Sequence, residues 1–172
     1  MISNTFRVYD ATTGRFQREV PGISSFSGTS LINGKIITTG DSIEAYDTDN
    51  DEIAWETASP GGGIETPLTP SDSVLYGASE TGYVFALNLS SGDILWTSRI
   101  DDSTTQRSPV ILGSTVWICA DNGEVFVLMK ETGEEAFSIA PPTNNTRDRP
   151  LRVLNDVIYL GGYNPVAYTL DI

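Results

Sequence analysis

The sequence contains no histidine, one cysteine and two lysines among its 172 residues. Without histidine, it lacks the side chain that most often serves as a general base and as a transition-metal ligand. The single cysteine, Cys119, excludes an internal disulfide framework and any zinc site built from several cysteines. These absences argue against most enzyme classes, and we expect no catalytic residues, no metal centre of this kind and no cofactor.

Long apolar runs are also missing. No stretch approaches the roughly 18 apolar residues of a membrane-spanning helix, so we expect no membrane insertion. Residues 1–7 lack the basic and apolar regions of a secretory signal, which predicts a cytoplasmic protein or a virion component. The hydrophobic content of 39% still suffices for the core of a single domain of this length.

Positive charge is scarce, since 23 acidic side chains stand against 10 basic ones and the formal net charge is −13. Such an excess destabilises a compact state by self-repulsion in ordinary salt, and dense counter-ions relieve the repulsion. The acidic, lysine-poor composition resembles that of proteins from halophilic archaea and their viruses. Because no basic stripe is present to neutralise phosphates, we do not expect nucleic acid as a partner.

What the sequence does contain is a repeat with a period near 41 residues. Three segments align without gaps, at 45–55 (AYDTDNDEIAW), 86–96 (ALNLSSGDILW) and 127–137 (VLMKETGEEAF). A first copy lies at 8–18 and a truncated copy at 169–172. One alignment column holds mostly aspartate, and its members are spaced by 37, 41, 41 and 42 residues: Asp10, Asp47, Asn88, Met129 and Asp171. Steps of 38, 42 and 41 separate the members of a second column: Ile36, Val74, Val116 and Val157. Two columns that keep one period predict a repeat architecture.

Each unit is predicted to contain four short strands. In the fourth unit, segments 109–112, 116–120 and 124–128 are rich in β-branched and aromatic residues, and a fourth strand follows the turn at Gly133. Asn122-Gly123 is a hairpin signal, because Asn and Gly tolerate the positive φ that such turns require. No segment sustains a 3.6-residue apolar period, so helix content should be very low.

Four strands in each 41-residue unit predict an all-β fold, a small β-propeller of four to five blades, each a four-stranded antiparallel sheet. The A-x-D-x-x-T-G-x-x-x-W pattern of the aligned segments resembles the repeat of PQQ-type propellers, whose tryptophan docks each blade against its neighbour. The resemblance implies a blade-docking role for six residues: Trp55, Trp96, Phe137, Gly14, Gly92 and Gly133. PQQ-type enzymes bind a quinone and calcium beside a vicinal cysteine pair, which this sequence lacks. The resemblance therefore implies a scaffold without that active site.

The repeat predicts one propeller domain over 1–172, with units at 1–22 (partial), 23–60, 61–101, 102–140 and 141–172 (partial). The length corresponds to about 4.2 periods, or some seventeen strands. A four-bladed ring with one redundant strand, a five-bladed ring with two incomplete blades and a larger ring of two chains all fit this count, and we expect a closed small ring. Open terminal strands favour self-assembly or a protein partner.

Three further residues are candidates for contact with a partner: Trp117, Arg147 and Arg149. Trp117 lies outside the alignment column that holds Trp55 and Trp96. It is therefore a better candidate than these two for an exposed aromatic, although a core position is favoured. The two arginines interrupt an acidic surface in a proline-flanked loop, and arginine is enriched at interfaces. The acidic segment 47–52 is a candidate for weak cation binding, but it does not fit an EF-hand, and a solvated hairpin is favoured.

Together these features favour a non-catalytic scaffold for protein–protein interaction or assembly in a halophilic setting, such as a spike, tail or capsid decoration of a haloarchaeal virus. The alternative is a module that binds carbohydrate or a small ligand at the mouth of the ring, with Tyr76, Tyr83 and Tyr159. An enzyme with paired carboxylates is the least favoured class, because the sequence marks no particular pair.

Overall fold

The computed structural model describes residues 6–20, 27–100, 107–140, 151–154, 157–160 and 166–169. All the regular secondary structure in these residues is β-strand, as the sequence predicts. The strands form five antiparallel sheets of two, four, four, four and three strands, in chain order. The first sheet pairs β1 (Phe6–Tyr9) with β2 (Phe16–Val20).

The other sheets are continuous meanders, in which each strand pairs with the next one along the chain. The second sheet contains β3 (Gly28–Ile32), β4 (Lys35–Thr39), β5 (Ser42–Asp47) and β6 (Glu52–Ala58). The third contains β7 (Thr69–Ser71), β8 (Val74–Ala78), β9 (Tyr83–Asn88) and β10 (Ile94–Arg99). The fourth contains β11 (Val110–Leu112), β12 (Thr115–Cys119), β13 (Val125–Met129) and β14 (Glu135–Ile139), and the fifth contains β15 (Leu151–Leu154), β16 (Val157–Leu160) and β17 (Val166–Thr169).

In the second, third and fourth sheets, the inner strands are apolar on both faces, because each of these sheets packs between two neighbours. In the third sheet, Leu75 and Phe85 pack towards the second sheet, whereas Tyr76 and Val84 pack towards the fourth. Each joint between successive sheets therefore has its own hydrophobic cluster. This serial face-to-face packing is the arrangement of a β-propeller.

The register of the ladders corrects one part of the sequence alignment. Val74 lies opposite Asn88, whereas Thr115, and not Val116, lies opposite Met129. Ile36 lies opposite Tyr46, just as Val116 lies opposite Leu128. Because Asp47, Asn88 and Met129 are equivalent in the repeat, the second column of the sequence analysis is displaced by one residue at Val74. A shift of one residue in a strand exchanges the two faces of the sheet, so the displacement affects the predicted orientation of side chains.

The five sheets fall inside the five predicted units, whose exact boundaries stay a prediction. The three complete sheets and two partial ones match the seventeen-strand count. Within the described ranges, no hydrogen-bonded ladder joins the first sheet to the fifth. The expected strand-paired closure of a small ring is therefore not present among these strands.

Candidate interaction surface at the sheet joints

The joint between the second and third sheets is built on Trp55. This side chain is 8% exposed, and its indole Nε1 donates a hydrogen bond to the carbonyl oxygen of Leu89, at 3.0 Å. The ring lies against Gly92, where an added Cβ would stand 2.5 Å from Cε3 of the indole. The hydroxyl of Thr57 also donates to the carbonyl oxygen of Gly92, at 2.7 Å. The indole therefore lies directly on the turn of the next unit.

Trp96 repeats this geometry one unit later. Its Nε1 donates to the carbonyl oxygen of Lys130 at 3.0 Å, and a Cβ on Gly133 would lie 2.4 Å from its Cε3. Gly92 and Gly133 have φ of 75° and 73°, the left-handed region in which glycine is free of strain. The sequence predicts a blade-docking role for these four residues, and substitution can test it. Docking requires a ring packed on a glycine, and both joints have this contact.

At the first joint an ion pair takes the place of the indole. Arg18 stands at the tryptophan position, and its guanidinium donates to the carboxylate of Asp51, which stands at the glycine position. The same guanidinium donates to the carbonyl oxygen of Thr48 at 3.3 Å. Asp51 keeps the left-handed backbone with φ of 61°, and it also accepts a hydrogen bond from the hydroxyl of Tyr46. Both residues depart from the repeat pattern, and the sequence alone does not pair them.

Two of the predicted docking residues have different surroundings. Phe137 is 46% exposed and packs edge-on against Trp117, with ring centroids 5.7 Å apart. Gly14 has a φ of 67°, but an added Cβ there would meet no atom within 4 Å. Among the described residues, no aromatic ring docks on Gly14, so its predicted docking contact is not formed.

The proposed partner contact at Trp117 is corrected by its burial. Trp117 is 2% exposed, and its Nε1 donates to the hydroxyl of Thr115 at 2.8 Å. It packs with Leu151 and Ile158 in the joint between the fourth and fifth sheets, so it offers no surface to a partner. Arg147 and Arg149 lie outside the described residues.

The acidic segment 47–52 is organised by hydrogen bonds within its own turn. Oδ1 of Asp47 accepts the backbone N–H groups of Asp49 and Asn50, and Oδ2 lies 2.9 Å from Nζ of Lys35. The hydrogen bond from Lys35, followed by those from the two backbone groups, lowers the pKa of Asp47 to about 2. No group of three or more acidic or cysteine side chains within the described ranges is arranged to hold a metal ion. The structure therefore gives no support to the candidate cation site.

A quinone–calcium centre does not fit the residues of this chain. Its lone cysteine, Cys119, is buried in the joint between the fourth and fifth sheets, and no second cysteine stands beside it. The described carboxylates form no metal-ligand group that calcium could use. We derive no chemistry through that cofactor.

The structure brings together one carboxylate pair that the sequence did not mark, Glu65 and Glu80. A hydrogen bond in which protonated Glu80 donates to Glu65 raises the pKa of Glu80, and burial and the charges of Glu65 and Asp41 add to this effect. The pair is separated by fifteen residues and joins two loops, so no local pattern reveals it. It lines neither of the two clefts described next.

An apolar groove of about 370 Å³ opens at the first joint, beside β1. Its walls include Arg18, Thr29, Ser30 and Thr48, and its apolar lining is formed by Phe6, Val8, Val20, Leu31 and Ile36. Leu31 is 74% exposed, the largest value among the exposed large hydrophobic side chains of the described residues. An apolar groove beside a strand edge is a surface that an extended polypeptide can occupy.

A second cleft, of about 330 Å³, opens at the joint between the third and fourth sheets. It is lined by aromatic, aliphatic and charged side chains: Asp72, Val74, Tyr76, Leu95, Trp96, Lys130 and Glu131. None of the described residues belongs to a helix that could cross a membrane.

Comparison with known proteins identifies the repeat. A family model described as outer membrane protein assembly factor BamB matches residues 38–171. The BamB proteins of Yersinia pestis and Shewanella oneidensis are 24% and 25% identical to this chain over 96% and 98% of its length. The alignments span 49% and 46% of those proteins, so the chain corresponds to about half the length of these relatives.

Solved structures with the same fold include BamB from Moraxella catarrhalis, with a TM-score of 0.72 and 17% identity. The match covers 90% of this chain and 53% of that one. A europium-containing methanol dehydrogenase is also similar, with a TM-score of 0.58 and 15% identity over 64% of this chain and 24% of the enzyme. At these identities the likeness concerns the fold, and it confirms the predicted all-β propeller.

Proposed function

Because the chain belongs to the BamB family of PQQ-like repeat propellers, we propose that it is a non-catalytic scaffold for protein–protein interaction. Its relatives are named as assembly factors for outer membrane proteins, which is a role in handling other proteins. The observation that carries the proposal to this chain is the apolar groove at the first joint, with Leu31 exposed at its wall. An exposed apolar groove on a protein surface is typical of an interaction site.

The occupant that we propose for this groove is an extended apolar strand of a protein. In the complete sheets, a strand such as β4 lies beside the third strand and turns a large side chain, Ile37, towards the next sheet. The first sheet has two described strands, and β1 corresponds to the third strand of a unit. A strand added beside β1 would gain backbone hydrogen bonds and bury its apolar side chains in the groove. The strand can come from another segment of the same polypeptide, from a second copy of the chain or from another protein.

The experiment compares the purified protein with Leu31→Asp, in concentrated KCl. Since Leu31 is largely exposed, the substitution should leave the melting temperature within about 2 °C, as expected for a surface change. We expect light scattering or cross-linking to show a complex with the original protein and its loss with Leu31→Asp. A mass that is a multiple of the monomer identifies further copies of the chain, and a complex that contains a co-purified chain of different mass identifies another partner. A monomer that cross-links to no protein, or a complex that Leu31→Asp leaves intact, would overturn the proposal.

The cellular setting that we propose is halophilic, as the charge of −13 suggests. In this setting, the protein could have one of two roles. The first is a structural component of a haloarchaeal virion, and the second is an assembly factor like the relatives. Detection of the protein in purified particles would support the first role. Its recovery from cells with newly made envelope proteins, and not from particles, would support the second.

The carbohydrate-binding alternative has lost part of its support. Tyr76 is buried, and the ring of Tyr83 lies close to Gly61 and under the guanidinium of Arg99, which is 5.7 Å from the ring centroid. Of the three tyrosines, Tyr159 keeps substantial exposure. Stacking of a sugar needs an open aromatic face, so we give priority to the protein-binding function.

A further inference from the structure

The cleft between the third and fourth sheets, which we call the Lys130 cleft, departs from the repeat at two positions. Leu89 and Lys130 are equivalent, because each carbonyl oxygen accepts the indole hydrogen bond of its joint. Leu89 is buried and completes an apolar cluster, whereas the lysine at the next joint brings an ammonium group to the same place.

The second departure is Asp72, in the turn between β7 and β8. The same turn position holds Asn33 in the second sheet and Gly113 in the fourth, and all three residues have positive φ, of 49°, 54° and 55° in chain order. Asn and Gly suit this conformation best. The aspartate instead places its carboxylate 2.9 Å from Nζ of Lys130. Both departures therefore meet in one ion pair at one joint.

The charge that this cleft offers to solvent is negative. The side chain of Lys130 is 19% exposed and is already paired, whereas the side chain of Asp72 is 83% exposed. Glu131 is exposed and lines the same cleft. A carboxylate has several acceptor positions, so Asp72 can receive further hydrogen bonds while it holds Lys130.

The remaining walls suit an aliphatic chain that ends in a planar cation. Leu95 is half exposed, and Val74 lies beside it in the lining. Trp96 and Tyr76 line the same cleft, with ring centroids 6.0 Å apart and an angle of 49° between the rings. Long basic side chains bury their methylene groups on such apolar surface while the charged end stays near carboxylates.

We infer that the Lys130 cleft receives an arginine side chain of a protein partner, with its methylene groups on Leu95 and Val74 and its guanidinium at Asp72 and Glu131. The inference rests on the proposed scaffold function and specifies the chemistry of its partner. The net charge of −13 favours the approach of a basic segment. The position of the cleft makes it a second contact, separate from the apolar groove at the first joint.

The test follows the three tryptophan indole N–H signals by NMR, at the lowest KCl concentration that keeps the protein folded. The probes are acetyl-arginine amide, the neutral isostere acetyl-citrulline amide and the anionic acetyl-glutamate amide. We expect the arginine probe to shift the signal of Trp96 with saturation, while those of the buried Trp55 and Trp117 stay in place. Equal shifts with citrulline, or a larger shift with the glutamate probe, would overturn the inference.

The neighbouring joint provides the matched variant, Asp72→Asn with Lys130→Leu. These residues reproduce Asn33 and Leu89 of the preceding joint, so the variant should fold and melt at or above the original temperature. We expect about five-fold or greater weakening of arginine binding, as for loss of a charged partner. If a partner found with the groove experiment binds both proteins equally, the scaffold function stands and the cleft inference fails. If the arginine probe binds but no partner exists, the cleft stands as a cation site and the scaffold function fails.

Discussion

Gly92 and Gly14 have almost the same left-handed backbone but different surroundings. An added Cβ at Gly92 would collide with the indole of Trp55, whereas one at Gly14 would meet open space. Gly14→Ala should therefore cost about 1–2 kcal/mol, the backbone strain alone. Gly92→Ala should cost a further ~1–3 kcal/mol, because the indole must move from its position. Denaturant unfolding of both variants measures the difference, and equal losses would show that Trp55 does not dock on this glycine.

The indole itself should be the larger contributor at that joint. Trp55→Ala removes a buried aromatic side chain and its hydrogen bond to Leu89, and we expect a loss of about 3–5 kcal/mol in the free energy of unfolding. Phe137→Ala serves as the control, because this side chain is half exposed and should cost far less. Similar losses for the two variants, measured by urea unfolding in KCl, would contradict the docking role of Trp55.

At the residue scale, the sequence could predict contacts that depend on the repeat, but not which face a side chain takes. The glycine and tryptophan columns identified Trp55 and Gly92 because their spacing is constant. A core position was favoured for Trp117, but it stayed a candidate for partner contact, because the sequence did not show which face of β12 this side chain takes. The equivalent residue is Tyr76, which is also buried.

At the element scale, the turn between β5 and β6 should be sensitive to acid. The pKa of Asp47 is about 2 in the folded chain, below its ordinary value of 3.8. A lowered pKa gives stability that is present above about pH 4 and is lost as the pH falls through about 2. We expect Asp47→Asn to flatten the decline of unfolding free energy between pH 4 and 2. Asp49→Asn, in the same turn, is the control, and a decline of equal slope in the Asp47 variant would contradict the prediction.

The first joint can be converted into the type found at the second. An exposed ion pair such as Arg18–Asp51 contributes about 0–1 kcal/mol, far less than a docked indole. Arg18→Trp combined with Asp51→Gly should therefore raise the free energy of unfolding by about 1–3 kcal/mol, through aromatic burial and relief of the left-handed backbone. Arg18→Trp alone is the control, because the side chain of Asp51 blocks the docking position. No gain from the double variant over this control, in denaturant unfolding, would count against a shared docking geometry.

In the fourth unit, the first three strands were predicted to within one residue, because hairpin turns and β-branched runs mark them in the sequence. The pairing of Arg18 with Asp51 could not be predicted, since the two residues are 33 positions apart and break the pattern in different units. The Glu65–Glu80 pair and the Lys130 cleft were missed for the same reason. Contacts between units become visible when the sheets are stacked.

At the scale of the whole molecule, the excess of negative charge should make stability depend on salt. With a net charge of −13, self-repulsion opposes compaction, and screening by dense counter-ions reduces it. We expect the melting temperature to rise steeply between dilute and concentrated KCl. Sorbitol at matched osmolality controls for effects other than ionic screening, and a melting temperature that is independent of KCl would remove the halophilic interpretation.

The repeating geometry of the joints also bears on how such a chain grows. Each docked tryptophan, Trp55 or Trp96, reaches only the turn of the following unit, 37 residues further on, and needs nothing more distant. A tandem duplication of residues 61–101 would thus copy both parts of a joint. These parts are the turn at Gly92, which contacts the preceding tryptophan, and Trp96, which contacts the following turn. Genes for such chains can lengthen by whole units without new packing solutions.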